Sequence, residues 1–539
     1  MVASTMTPAI VAVIALSVIP GAEAAALQHK SALTRRDCPD YTDYSQSPHA
    51  PYSDGPLHLP FQRPTEECRT FVSESVEKVI TDVTSRLVDP DLAMLFTNAL
   101  PNTLDTTVAW HVNASSDSVQ KRASNATWPG AQSFIITGDI DAEWLRDSVN
   151  QVMNYQTLAK SDAALYQLIL GAINTQSEFI INYPFCGAFQ PPSPSGLAAT
   201  NNTEIDTVTP DYDRTFVYEC KYELDSLAAF LSLGNQFYNA TGSTEYLSDR
   251  WYTALDTVLQ TLDKEAQPTF DSNGQFVTNV YTWQRQTTLG TETLSLTGEG
   301  NPLNRNVGLI RSAFRPSDDA TIFGYFVPAN AMMSVQLGRT ADTLEAIGGN
   351  KTLIQDLRTR STNLRKAVLN QGVFEHPTYG KVFAFEVDGY GGRNVMDDAN
   401  IPSLLALPYL GFLDVDDETY QNTRKMVLSA DGNPYYLSGS AFHGIGGPHA
   451  GLTTAWPMSL LVQAQTTDND TEIMECINLV VNSSRLGLIH ESINVNNITD
   501  YTRPWFAWAN SLFSQTILKL AEEKPYLIFN DSTPYIVPT

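Results

Sequence analysis

Apolar residues at helical spacing recur along the chain, and this pattern limits its fold more than any other feature. Val76, Val79, Ile80, Val83 and Leu87 form one stripe; Leu165, Leu168, Ile169, Ala172 and Ile173 form a second; Leu224, Leu227, Ala228 and Leu231 form a third. Residues spaced i, i+3, i+4 and i+7 share one face of an α-helix, so each stripe predicts an amphipathic helix laid on a core. Segments near 144–158, 244–263, 341–369, 416–429, 452–466, 470–481 and 505–522 also read as helical. Strand-like runs such as Phe134-Ile135-Ile136 and Val382-Phe383-Ala384-Phe385 are short and isolated. A βαβ alternation or an all-β sandwich therefore has little support. The expected class is all-α: a toroid of paired helices with function on the loops at one end, or an irregular helical bundle.

No low-complexity run or charge block divides the 539 residues, and 42% hydrophobic content can bury a large core, which favours one large domain. The net charge of −26, from 33 basic and 59 acidic residues, would repel a phosphate backbone and argues against a nucleic-acid partner. It suits a neutral partner, solubility and work at mildly acidic pH.

An apolar run from about Pro8 to Pro20 leads into Ala22-Glu23-Ala24, a small-x-small cleavage pattern, so residues 1–24 read as a signal peptide. The run is shorter than the roughly 20 residues that span a bilayer, so no membrane segment is expected in the mature protein. Residues 25–65 are rich in Pro, Ser, Tyr and Asp without periodicity and read as a propeptide or irregular N-terminal arm, with a dibasic Arg35-Arg36 as a processing signal. The catalytic domain is expected over 66–539. Nine Asn-x-Ser/Thr sequons, at Asn113, Asn125, Asn201, Asn239, Asn350, Asn469, Asn482, Asn497 and Asn530, agree with a secreted, N-glycosylated protein. Five cysteines permit at most two bridges; proximity suggests Cys38 with Cys68 and Cys186 with Cys220, leaving Cys476, although spacing alone does not fix connectivity.

Three windows carry candidate chemistry. Residues 488–510 place His490 and Glu491 ahead of Arg503, Trp505, Trp508 and Asn510. A carboxylate accepts a proton, Arg and Asn fork onto hydroxyls, and flat indoles suit the apolar face of a pyranose. Residues 137–148, TGDIDAEWLRDS, pack Asp139, Asp141, Glu143, Trp144, Arg146 and Asp147 into nine positions. An adjacent Arg and Asp can hold several hydroxyls of one sugar. In FRPSDDA, Asp318 and Asp319 stand between the Arg315-Pro316 turn and an apolar run. Burial and like-charge repulsion both raise such carboxyls, as a general acid requires; calcium binding and a plain helix cap compete with that reading. Asp397 and Asp398 precede an expected apolar helix that they could simply cap. HGIGGPHAG, with His443 and His449, lacks GxGxxG or Walker spacing, and the chain has no CxxC, HExxH or GxSxG. Nucleotide, zinc, redox and serine-hydrolase chemistry are thereby disfavoured.

TGDIDAEWLRDS, FRPSDDA, NVMDDANIPSLLALPYLG, GIGGPHAG with Ala455-Trp456-Pro457, and HES with TRPWFAWANSLF, in that order, resemble glycoside hydrolase family 125, the exo-acting α-mannosidases, over about residues 65–525. The resemblance implies an (α/α)6 barrel and release of terminal mannose from an α-1,6 linkage, with inversion and without metal or cofactor. It places the general acid in the pair of FRPSDDA, assigned to Asp319 rather than Asp318, and the general base at Glu491. Trp144, Arg146, Asp147, Arg315, Asp318, Asp397, His449, His490, Arg503 and Trp505 are expected at the substrate, an α-1,6-linked mannooligosaccharide, mannan or N-glycan. Ile493 stands where the family pattern suggests an aromatic, which bears on how the base loop packs. A toroidal glucosidase or trehalase, and a mannose-binding module without catalysis, are the rival functions.

Overall fold

The computed structural model describes residues 38–114 and 130–538. The signal peptide, Arg35-Arg36 and the Asn125 sequon lie outside the described residues. Among those described, the longer helices are α1 (Glu74–Thr84), α2 (Pro90–Ala99), α3 (Leu145–Val152), α4 (Ala163–Asn182), α5 (Leu224–Thr241), α6 (Asp249–Glu265), α7 (Val327–Ala346), α8 (Lys351–Ala367), α9 (Glu418–Val427), α10 (Pro457–Gln465), α11 (Asp470–Ser483) and α12 (Ala507–Glu523).

They form an (α/α)6 toroid. The inner ring runs α12 on α3, α3 on α5, α5 on α7, and α10 on α12. The place between α7 and α10 is filled by turns over 402–411, where Gly411 lies against Arg339 and Val335 of α7. Polar ties cross the inner seams: Ser511 Oγ donates to Asn150 O at 2.6 Å, Asn235 Nδ2 to Gln336 O at 3.2 Å, and Gln465 Nε2 to Thr516 Oγ1 at 2.9 Å. Outer helices pack behind, α8 on α7, α11 on α10, and α2 on α12.

Inner and outer helices differ for a physical reason. The outer helices α1 and α6 bury one stripe, Val76, Val79, Ile80 and Val83 in the first, and keep charged residues on the other face. The inner helices α5 and α7 are buried nearly all round, so polar residues such as Asn235, Gln336 and Thr340 enter them only where they hydrogen-bond one another.

Entry into the inner helices positions the site. Trp144, Glu223, Phe326, Trp456 and Phe506 are the N-cap residues of α3, α5, α7, α10 and α12, all extended and none capping with its side chain. Ser, Thr, Asp or Asn would normally stand there to cap. Here the extended residue instead ends or closely follows a short strand, such as Glu143–Trp144, Tyr325–Phe326 or Thr454–Ala455.

Residues 38–65 are not a loose tail. Leu59, Gln62 and Arg63 are buried, Arg63 pairs with Asp105 at 2.7 Å and with Glu77, and Cys38 is bridged to Cys68. The second bridge joins Cys186 to Cys220, and Cys476 is a buried free thiol. Among the described residues no helix is long and apolar enough to cross a membrane.

Candidate active site

Where the inner helices begin, a cavity of about 460 Å³, counted to its open mouth, is lined by residues from all three windows. Trp144, Arg146 and Asp147 come from the start of α3, Ser317 and Asp318 from FRPSDDA, Glu491 and Arg503 from the base loop, and Trp456, Phe506 and Trp508 from the starts of α10 and α12. The size falls in the range of about 300–1,000 Å³ usual for small-ligand sites. Two turns below, the Tyr409 hydroxyl bridges Gln515 Oε1 at 3.0 Å and Met153 Sδ at 3.3 Å.

Arg146 is the electrostatic centre. Its side chain is 3% exposed, and it approaches Glu223 at 2.8 Å, Asp225 and Asp147 at 3.3 Å, and Asp318 at 3.6 Å. One guanidinium faces three buried carboxyls and the partly exposed Asp318, a balance that favours protons staying in the cluster. Burial pushes Asp147 up to about 7 and Asp225 up to about 6, although Arg146 pulls against both.

The acidic pair divides its labour. Asp318 has φ +65, in the left-handed region that a non-glycine residue rarely enters, and this turn sends its carboxyl into the cavity with a quarter of the side chain exposed. There Oδ1 accepts from Trp144 Nε1 at 3.2 Å. Asp319 is wholly buried behind the cavity wall, and its Oδ1 meets His449 Nδ1 at 3.2 Å. Burial raises Asp319, and the hydrogen bond and charge of that contact push His449, 32% of whose side chain is exposed, up to about 9. His449 therefore lines the cavity as an imidazolium backed by Asp319.

Opposite, Glu491 is held by Thr502 Oγ1 on Oε2 at 2.8 Å and by Arg503 Nε on Oε1 at 3.1 Å. Arg503 is itself paired with Asp139. His490 does not reach the cavity. Its Nδ1 bonds to Arg503 O at 2.8 Å, its ring stacks on Tyr501 at 3.8 Å, and burial lowers it to about 4, so it is neutral. It fixes the loop on which Glu491 stands. Ile493, noted as a departure, is buried in the short strand just after it.

Of the residues expected at the sugar, Trp144, Arg146, Asp147, Asp318, His449, Glu491 and Arg503 are brought together. Asp319, Arg315, Asp397, His490 and Trp505 stand behind them. Arg315 Nε pairs with Glu386 at 2.6 Å, anchoring the turn that presents Asp318. Asp397 accepts from Leu404 N at 2.8 Å and Leu405 N at 2.9 Å, holding a run of turns where a capped helix was expected. Trp505 packs edge-on to Tyr41 of the N-terminal arm at 5.1 Å and braces the Gly138 turn. Residues that sequence reasoning did not place at the substrate include Asn400, Trp456 and Phe506, whereas Trp508, read in the 488–510 window as a sugar-stacking indole, does line the cavity. A signal existed for the aromatics: like Trp144, Trp456 and Phe506 directly precede apolar helical runs where a polar cap would be expected.

Among the described residues one set of side chains, Glu292, Asp319 and His449, could converge on a cation. In this structure His449 Nδ1 is instead engaged by Asp319 Oδ1 at 3.2 Å.

A toroid that brings carboxyls from separate loops, a guanidinium centre and aromatic walls into one cavity at its helix starts is the layout of a glycoside hydrolase pocket. The model of glycoside hydrolase family 125, described as metal-independent alpha-mannosidases, matches residues 89–518, and the chain belongs to that family. The meiotically up-regulated gene 157 protein of Schizosaccharomyces pombe is 51% identical over 493 residues, covering 91% of this chain and 94% of that protein. A metal-independent alpha-mannosidase of Streptococcus pneumoniae, solved in a non-productive complex with alpha-1,6-mannobiose, is 32% identical, with a TM-score of 0.72, over 84% of this chain and 99% of its own.

Proposed function

We propose that this α-mannosidase is exo-acting, cleaves terminal α-1,6-linked mannose with inversion, and uses Asp318 as general acid and Glu491 as general base. The observation that carries this reading is that the two carboxyls, from loops far apart in sequence, line one aromatic-walled cavity. The alpha-1,6-mannobiose bound by the S. pneumoniae relative supports the linkage.

In this mechanism the mannose sits against Trp144, Trp456 and Trp508, with Arg146, Asp147, His449 and Arg503 on its hydroxyls. Asp318 protonates the glycosidic oxygen while Glu491 takes a proton from a water attacking C1 on the opposite face. An inverting pair stands about 6.5–9.5 Å apart to admit that water. Asp319 does not touch the sugar in this account; it orients and charges His449. Asp318 is therefore proposed in place of the sequence-based choice, Asp319; the exchange is supported by Asp318 lining the cavity. Incubation with linkage-defined mannobioses in EDTA tests the whole reading: α-1,6-mannobiose should be hydrolysed, whereas preference for another linkage, or isomaltose or trehalose turnover, would sink it.

The protein is further proposed to be secreted and N-glycosylated. The eight sequon asparagines among the described residues are all exposed, and two disulfides suit an oxidising compartment. Endoglycosidase treatment should lower the apparent mass of native material. An N-terminus at Met1 would refute secretion.

A further inference from the structure

Glu223, the N-cap residue of α5, belongs to none of the sequence windows and does not line the cavity. Its side chain is wholly buried. Oε2 accepts from Arg146 Nη1 at 2.8 Å and from Ser226 Oγ at 2.8 Å. Oε1 is also buried and has no donor among the described residues, while the carboxyl lies within hydrogen-bonding reach of Asp318. Two carboxyls share such a contact only when one of them carries a proton.

The surroundings decide which one. Burial holds Glu223 well above the ordinary carboxyl range, more than Arg146 lowers it. Burial also raises Asp318, but Arg146, Lys221 and the contact with Glu223 outweigh it and leave that carboxyl low. The other groups facing the pair are Asp147 on α3, Asp225 on α5, Glu219, Lys221, His449 and the Tyr281 phenol. The cations Lys221 and His449 both favour the charged form of Asp318. The proton therefore rests on Glu223, and the residue best placed to protonate the leaving group begins each cycle without one.

Resting on the reading of Asp318 as the acid, we infer that Glu223 is a proton store acting through it: a proton moves from Glu223 to Asp318, then from Asp318 to the glycosidic oxygen. The C1–O bond breaks with its electron pair left on that oxygen, the oxygen of water bonds to C1, and the proton of water goes to Glu491. Glu223 ends as an anion held by Arg146 and Ser226, and regains its proton from solvent once the products leave. It never touches the substrate and is a positioning residue.

Glu223→Gln tests this, since the amide keeps the volume and the acceptor for Arg146 but has no proton to give. On α-1,6-mannobiose kcat should fall about 10²-fold with KM within about threefold. An aryl α-mannoside with an acidic phenol should be spared, and mannobiose activity should recover as pH falls and solvent protonates Asp318. Equal loss on both substrates with raised KM would make Glu223 merely the anchor of Arg146 and would overturn the inference, as would an unchanged kcat and pH profile. Should Glu223→Gln not fold, Glu223→Asp keeps a protonatable carboxyl but shortens its reach by one methylene; a smaller loss confined to mannobiose supports the proposal, and an unchanged ratio of the two substrates overturns it. If Asp318→Asn shows no leaving-group selectivity, the acid assignment itself fails; if Asp318→Asn is selective and Glu223→Gln is not, only the role of Glu223 falls.

Discussion

Asp318→Asn and Asp319→Asn should separate two adjacent carboxyls by what each touches. An amide at 318 keeps an oxygen for the Trp144 indole, now bonded at 3.2 Å. It gives up an attraction to Arg146 at 3.6 Å, but Arg146 retains Glu223, Asp225 and Asp147. Ground-state binding should therefore change little. The transition state loses its proton donor, which removes about 10²–10⁴-fold from kcat on mannobiose, or about 2.7–5.4 kcal/mol at 1.36 kcal/mol per tenfold. An aryl mannoside with an acidic leaving group needs little protonation and should keep most of its rate. Asp319→Asn acts differently, because its carboxyl reaches only His449. Without that counter-charge His449 falls from about 9 towards its ordinary range. Both substrates should then lose activity alike, and the alkaline limb of the pH profile should move to lower pH. Steady-state kcat and KM for the two substrates between pH 5 and pH 9 read all of this. The reasoning is refuted if Asp319→Asn shows the leaving-group selectivity and Asp318→Asn does not.

Two further outcomes follow from the same geometry. Glu143 and Asp397 are pushed up to about 8, and Asp147 and Glu265 up to about 7, all by burial. The folded chain thus binds more protons than the unfolded one, and their contribution is fully present below the ordinary carboxyl pKa and lost as pH rises towards 7–8. Thermal melting should give a higher Tm at pH 5 than at pH 8, and the opposite order would contradict these assignments. Gly138 has φ +141, and an added Cβ would lie 2.8 Å from Trp505 Cη2. Gly138→Ala should cost about 1–3 kcal/mol in backbone strain, read by chemical denaturation, and should lower kcat because the neighbouring Asp139 holds Arg503 on Glu491. A variant as stable and as active as the parent would show that the turn has no such role.

The fold was legible where a helix has a wet side. The stripe at Val76–Val83 lies in α1, the segments read near 470–481 and 505–522 are α11 and α12, and the two isolated strand runs overlap the strands Gln132–Ile135 and Gly380–Phe383. In the inner ring it was legible only in part: α5 and α12 were read, but α7 was not. The segment read as helical from 341 to 369 merges the end of α7 with α8, and most of α7 went unread because buried residues surround it and leave no periodic face. The site divides similarly. The motifs named most of the residues that meet in the cavity, but which of Asp318 and Asp319 faces it depends on a left-handed φ at Asp318 that composition does not encode. Glu223 carried no signal, because its chemistry lies in a partner 77 residues away, Arg146, and in a contact with Asp318.

The central claim is hydrolysis by two opposed carboxyls without a metal, and stereochemistry tests it most directly. Proton NMR of α-1,6-mannobiose turnover in EDTA should show β-mannose first, with α-mannose growing only as the anomers equilibrate. Initial release of α-mannose would mean retention and would make Glu491 a nucleophile rather than a base, while loss of turnover in EDTA with recovery on added Ca²⁺ would contradict the account of Asp319 and His449.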